Sequence, residues 1–144
     1  MISPETSDHV RDAMVSDPPT CDAGASAQSA GEALARPEVR AVFVVDDGRL
    51  VGVVTRKTLV REVVAPGRDP KTTSLREIAE EPLATLQADL GLEDAFHFLE
   101  ENELERVPVV DHDGRLVGVL SRAVVQRRLA EDRPPGEEDL QQQV

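Results

Sequence analysis

Hydrophobic residues fall along this chain in two rhythms. "RAVFVVDDGRLVGVVT" (Arg40 to Thr55) and "RVPVVDHDGRLVGVLS" (Arg106 to Ser121) are short valine-rich runs interrupted by Asp-Gly, the pattern of strand, turn, strand. β-Branched side chains favour the extended backbone, and a glycine at the turn supplies the positive φ that a tight hairpin needs. Elsewhere apolar positions recur at intervals of three and four. Leu92, Ala95, Phe96 and Leu99 share one face of a helix in "LGLEDAFHFLEENEL", as do Ala27, Ala30, Gly31 and Leu34 in "ASAQSAGEALARPEV". The small side chains of the latter predict close packing, and Pro37 predicts its end. Shorter helices are predicted at Val10 to Met14 and at Leu75 to Glu80, where Ser74 followed by Glu77 makes a capping-box pattern. A short extended piece follows each, at Thr20 and at Thr85.

After each hairpin the pattern turns helical again, in "RKTLVREVVA" and "RAVVQRRLA". Val60, Val63 and Val64 are expected to form the apolar side of the first, and Val124, Val125 and Leu129 that of the second. "APGRDPKTT" carries too much proline and glycine for regular structure throughout and reads as a connector. The acidic, proline-interrupted end, "EDRPPGEEDLQQQV", is expected to be mobile.

These elements occur twice. Sliding the chain by 65 positions pairs Arg11 with Arg76, Thr20 with Thr85, Ala30 with Ala95, Leu34 with Leu99 and Val42 with Val107. "VVD" at Val44 to Asp46 then meets "VVD" at Val109 to Asp111. One extra residue, His112, moves the offset to 66, after which Asp47 to Val53 match Asp113 to Val119 without a difference. The second hairpin should therefore have the looser turn. Two copies of so long a period build no solenoid, so the expected architecture is two similar halves facing each other. The expected divisions are a first repeat over 8–65, a linker over 66–74, a second repeat over 75–131 and the tail over 132–144.

Composition narrows the function. With 144 residues and 40% hydrophobic content, the chain is large enough for a real core, and no run approaches the roughly 18 apolar residues of a membrane span. "MISPETSDHV" lacks the basic start and apolar stretch of a signal peptide, so a cytoplasmic location is expected. The single cysteine, Cys21, excludes an internal disulfide and reads as a small buried side chain. Sixteen basic against 28 acidic residues give a formal charge of −12, which repels nucleic acid and anionic membranes alike. With no Trp or Tyr there is no stacking platform for bases, and the core must be built from Val, Leu and Ala.

Catalytic patterns are missing. His9, His97 and His112 have no metal-ligand spacing, the carboxylates of "LEENELE" and "GEEDL" read as solvated faces, and the glycines of "DGRLVG" occupy hairpin positions and not a phosphate loop. The repeated hydroxyl-arginine ending is more informative. Thr55 and Ser121 stand where a strand meets a helix, so each can cap that helix. The same geometry turns backbone N–H groups and the positive end of the helix dipole outward, where a phosphate binds readily, and Arg56, Lys57 and Arg122 add positive charge. Both readings, cap alone or cap plus anion site, stand at this point.

A duplicated β-α-β-β-α unit whose "VVD" and "DGRLVG" hairpin runs into "GVVTR" or "GVLSR" resembles a cystathionine-β-synthase (CBS) domain pair over residues 8 to 131. The resemblance implies an α+β fold of two tandem repeats packed through their sheets about a pseudo-twofold axis, commonly joined into a disc-shaped homodimer. It implies a regulatory module for an adenosyl ligand such as AMP, ADP, ATP or S-adenosylmethionine, with no catalysis and no obligatory cofactor or metal. In that family the residue three beyond the Thr or Ser is typically an aspartate that grips the ribose, whereas here Thr58 and Val124 stand there. Loss of a charge-assisted pair of hydrogen bonds weakens binding by roughly tenfold to a hundredfold, which favours the cleft of Thr20, Thr55 and Thr58 over one built around Val124. Carried over by position, Thr20 and Thr85 border the adenine or phosphate, and Val39 and Arg40, with Leu104 and Glu105, line the base pocket. Phe43, opposite Pro108 in the other copy, is expected in the core.

Two functions follow. One is a stand-alone sensor whose inter-repeat cleft takes the nucleotide and whose change of angle is read by a protein partner in trans. The other is a ligand-independent dimeric assembly protein with degenerate sites. The absent aspartates favour the second, and Thr55, Ser121 and the paired arginines favour the first.

Overall fold

The computed structural model describes residues 8–131; the acidic tail over 132–144 lies outside the described residues. In chain order the elements are α1 (Val10–Ala13), β1 (Val15–Ser16), β2 (Thr20–Asp22), α2 (Ala27–Leu34), β3 (Val42–Asp46), β4 (Arg49–Val54), α3 (Arg56–Leu59) with a π-helical continuation (Val60–Val64), α4 (Leu75–Ile78), β5 (Leu86–Gln87), α5 (Leu92–Glu101), β6 (Arg106–Val110), β7 (Leu116–Ser121) and α6 (Arg122–Glu131). The fold is α+β, with the β-α-β-β-α unit present twice. One sheet has the order β2-β3-β4 and the other β1-β7-β6-β5, each combining a parallel pair with the antiparallel hairpin.

Local chemistry accounts for most boundaries. Asp47 and Gly48 turn the first hairpin with φ of 54° and 82°, the two positive values that a two-residue loop requires. In the second, the extra His112 opens the turn; the Asp111 carboxylate accepts from the Asp113 and Arg115 N–H groups at 2.9 and 3.0 Å, and Gly114 takes φ 82°. Those backbone bonds, chiefly from Arg115, hold the Asp111 carboxyl below its usual range. Ser74 and Glu77 close the predicted capping box at the start of α4, with Ser74 N–H donating to Glu77 at 2.9 Å.

The first helical segments of the two repeats are exchanged. Val10 and Ala13 of α1 lie in one core with Leu86, Leu92, Ala95, Leu99, Val107 and Leu120 of the second repeat. Leu75 and Ile78 of α4 lie in the other, with Ala27, Ala30, Leu34, Val42, Val44 and Val54 of the first. The backbone bonds that hold the exchange come in matched pairs: Val10 N–H donates to Leu90 C=O as Leu75 N–H does to Ala25 C=O, both at 2.9 Å. Between the hairpins, Leu50 N–H donates to Gly114 C=O and Leu116 N–H to Gly48 C=O, both at 3.1 Å. Such reciprocity is what a pseudo-twofold axis between the halves produces.

The repeated "VGV" now has a physical reason. A Cβ on Gly52 would stand 2.7 Å from Ala79 Cβ, and one on Gly118 would stand 2.8 Å from Val15 C=O. Only glycine lets the exchanged segment reach the strand, where Val15 pairs with Val119 and Glu80 with Val53.

Two expectations need correction. Of the expected apolar side Val60, Val63 and Val64, Val63 is buried, but Val60 and Val64 are 58% and 69% exposed: they lie in the segment that widens into a π turn, which departs from the α-helical spacing on which the expectation rests. Thr85 precedes its strand, which starts at Leu86, whereas Thr20 does open β2. In α6 Val125 is buried and Val124 and Leu129 are half-buried, as the periodicity predicts.

Candidate functional site

The two halves enclose a cleft of about 440 Å³, within the size range of small-molecule sites. Its wall takes matching positions from both repeats: Pro19 and Ala84 before β2 and β5, Val39 and Leu104 before β3 and β6, Phe43 and Pro108 within them, Val53 and Val119 on β4 and β7. The wall is mostly apolar, and Val15 and Leu83 on it are 62% and 90% exposed. Its polar side chains are Glu38, Arg40, Arg106 and Ser121. Of the residues singled out from the sequence for the site, Val39, Arg40, Leu104 and Ser121 line this cleft, and Glu105 does not. Phe43 is buried as expected, with one edge on the cleft.

Thr55 and Thr58 sit behind the wall, at the start of α3. Thr55 N–H donates to Thr58 Oγ1 at 3.0 Å and Thr58 N–H to Thr55 Oγ1 at 3.3 Å, a reciprocal cap. Thr58 is fully buried, and its hydroxyl donates to Glu80 Oε2 at 2.7 Å. Since that proton is committed, the 3.1 Å contact between the two hydroxyls is donated by Thr55. Neither threonine has a proton left for an anion. Glu80, brought from the exchanged segment, also accepts from Arg61 Nη2 at 2.7 Å; Thr58 first, then Arg61, hold its carboxyl below the usual range.

Of the two neighbouring cations Arg56 is committed as well, while Lys57 is exposed, has no ion-pair partner among the described residues and does not line the cleft. Arg56 donates to the carbonyls of Leu34 and Arg36 at 2.6 and 2.8 Å, satisfying the end of α2. In the second repeat Arg122 pairs with Glu105 at 2.6 Å, while its N–H donates to Glu105 C=O at 2.9 Å. Ser121 differs from Thr55. Its oxygen accepts from Val124 N–H at 3.3 Å, and among the described residues its own proton has no partner, so the hydroxyl on the cleft wall is an available donor. Thr20 and Thr85 are exposed and adjoin the wall residues Pro19 and Ala84 without lining it themselves.

Sequence reasoning missed Arg106 and Glu38. Arg106 opens β6 and aligns with Ala41, so the comparison of repeats gives no charged counterpart to draw attention to it. Among the described residues, neither Arg40 nor Arg106 has an ion-pair partner. The histidines sit apart: His112 bonds Asp89 at 2.8 Å on the surface, and His9 bridges to Gly91. Among the described residues no cluster of His, Cys, Asp or Glu could hold a metal ion. Burial pushes the half-buried Cys21 thiol up, away from the reactive thiolate. No helix among the described residues is long and apolar enough to cross a membrane.

Comparison with known proteins agrees with this geometry. Hypoxic response protein 1 of Mycobacterium tuberculosis is 34% identical over 86 residues, which span 60% of this chain and 59% of that protein. The crystal structure of Hypoxic Response Protein I with two coordinated zinc ions superposes with a TM-score of 0.71 at 25% identity, covering 84% of this chain and 98% of that one. CBSX2 in complex with AMP gives a TM-score of 0.67 at 28% identity over 85% of this chain and 96% of that one. The cytosolic domain of the Mg2+ channel MgtE in complex with ATP gives 0.68 at 25% identity, over 84% of this chain and 48% of that one. The CBS domain family model matches twice, over residues 10–65 and 75–131, which is most of the chain. With two matched repeats, exchanged about a pseudo-twofold axis and enclosing a cleft, the chain belongs to the CBS domain family.

Proposed function

We propose that the chain is a regulatory module whose inter-repeat cleft takes an adenine nucleotide and whose halves signal its presence to a protein partner. The observation that carries this reading is the cleft itself, an apolar wall built from both repeats with two arginines and a free serine hydroxyl. An apolar body with an anionic end fits such a wall, and the AMP and ATP complexes of CBSX2 and MgtE support an adenine nucleotide as its occupant. A ligand touching both halves favours the angle between them at which it binds best, and that preference is what a partner reads. The proposed wall contacts are Val39, Arg40 and Ser121; Thr20 and Thr85 stand beside it, and Thr55, Arg56, Thr58 and Arg122 act behind it by holding the helix starts. S-adenosylmethionine is the weaker candidate because its sulfonium meets two guanidinium groups. A cytoplasmic location suits both the ligand and the single free cysteine.

Thermal unfolding of the full chain with AMP, ADP, ATP and S-adenosylmethionine tests this. At a hundred times its dissociation constant a bound nucleotide adds about 2.7 kcal/mol, a rise of several degrees; no shift with any of the four overturns the reading.

A second reading, ligand-independent assembly, rests on a surface away from the cleft. Val60 and Val64 are exposed beside a groove of about 520 Å³ lined by Ala27, Gly31 and Leu59, a surface suited to a second copy of the chain. A homodimer is compatible with both functions. Loss of the dimer in Val60→Glu without loss of nucleotide binding separates them.

A further inference from the structure

We propose that the ligand's anion is held by Arg40 and Arg106, one arginine from each repeat, and not by the two helix starts, so that the cleft prefers nucleoside di- and triphosphates to monophosphates. This rests on the nucleotide reading above and names the phosphate class and the residues that select it.

The nearby arginines are accounted for one by one. Arg56 is bound to the carbonyls at the end of α2, Arg61 to Glu62 and Glu80, and Arg122 to Glu105. Thr55 and Thr58 have spent their protons on each other and on Glu80, whose carboxylate also places negative charge beside the start of α3. An anion there would meet the Glu80 carboxylate and no hydroxyl proton that is not already donated; Lys57, exposed and without an ion-pair partner among the described residues, does not line the cleft.

Arg40 and Arg106 are the reverse case. Both line the cleft, both are exposed, and among the described residues neither is paired, in a chain whose formal charge is −12. A guanidinium offers a planar fork of donors matched to phosphate oxygens, and two forks from different repeats suit a polyphosphate better than a single phosphate. Glu38, the one carboxylate on the cleft wall among the described residues, lies two residues from Arg40 and weakens the pull on an anion. Because the arginines come from different repeats, a bridging phosphate chain ties the halves together, which gives the ligand the leverage over their relative angle that a sensor needs.

Isothermal titration of the full chain with ADP, AMP, adenosine and pyrophosphate tests the proposal. ADP is expected to bind roughly fivefold or more tighter than AMP, and Arg40→Gln and Arg106→Gln each to weaken ADP roughly tenfold or more. Neither should move the melting temperature of the unliganded protein by more than about 2 °C, since among the described residues neither side chain has an ion-pair partner. Glu38→Gln should tighten ADP about two- to fivefold, and Ser121→Ala should weaken it no more than about threefold. ADP affinity unchanged in both arginine variants, whatever Ser121→Ala does, or AMP binding as tightly as ADP, overturns the proposal and leaves the nucleotide reading standing. No binding of any of the four to the wild-type chain overturns both.

Discussion

The two repeats share a backbone and differ at their helix starts. In the first, Thr55, Thr58, Glu80 and Arg61 form a network in which both threonine hydroxyl protons are used. In the second, the same places hold Ser121, Val124 and Val15: a hydroxyl whose proton has no partner among the described residues, a half-buried valine and an exposed one. Duplication has kept what the fold requires, the glycines and the caps, while the side chains around them have taken different work. The first helix start is a structural joint, and the second borders the cleft.

The shared backbone gives the largest expected effects. Gly52→Ala and Gly118→Ala should each cost about 2–3 kcal/mol in chemical denaturation, since the added Cβ meets Ala79 at 2.7 Å in one repeat and Val15 C=O at 2.8 Å in the other. Equal losses fit exchanged segments that matter alike; a neutral substitution in either repeat would show that segment to be loosely held.

The next effect separates the repeats. Thr58→Asp buries a carboxylate against Glu80 and should destabilise by about 3 kcal/mol, whereas Val124→Asp, half-buried and without a facing acid, should cost about 1 kcal/mol. Placing the family's usual aspartate at position 58 therefore damages the fold here before it can grip a ribose. Similar losses in both variants, measured by urea unfolding, would mean that the network around Glu80 is not special.

A smaller effect lies in pH. The Glu80 carboxyl is depressed in the folded state, so its contribution is present above the ordinary carboxylate value near about 4.3 and is lost as pH falls through its lower folded value. Glu77, Asp89 and Asp111 are depressed too, and all four act in the same direction. Melting temperature should be level from about pH 5 upward and fall below about pH 4, with a shallower fall in Glu80→Gln. An unchanged slope in that variant would place the acid sensitivity elsewhere.

What was legible in the sequence was local. The Asp-Gly turn, the Ser74–Glu77 cap and the helix of Leu92, Ala95 and Leu99 are fixed by residues a few positions apart, and each formed as predicted. The exchange of α1 and α4 was not legible: Val10 meets Leu90, and Leu75 meets Ala25, across separations that leave no periodic trace. The same distance hid the site. Nothing near Thr58 announces that Glu80 will consume its proton, nothing near Arg56 that the end of α2 will hold it, and Arg106 gains its meaning only when the repeats face each other. The valines of the π turn mislead for a different reason, because an apolar period gives a helix's stripe without saying which neighbour covers it.

Amide chemical shifts recorded during a titration of the isotope-labelled chain with ADP test the ligand's place most directly. The largest changes should fall at Val39, Arg40, Arg106 and Ser121, from both repeats at once, while Thr55 and Thr58 change little. Changes centred on Thr55, Arg56 and Thr58 with the cleft residues unmoved, or no changes at any nucleotide concentration, would contradict it.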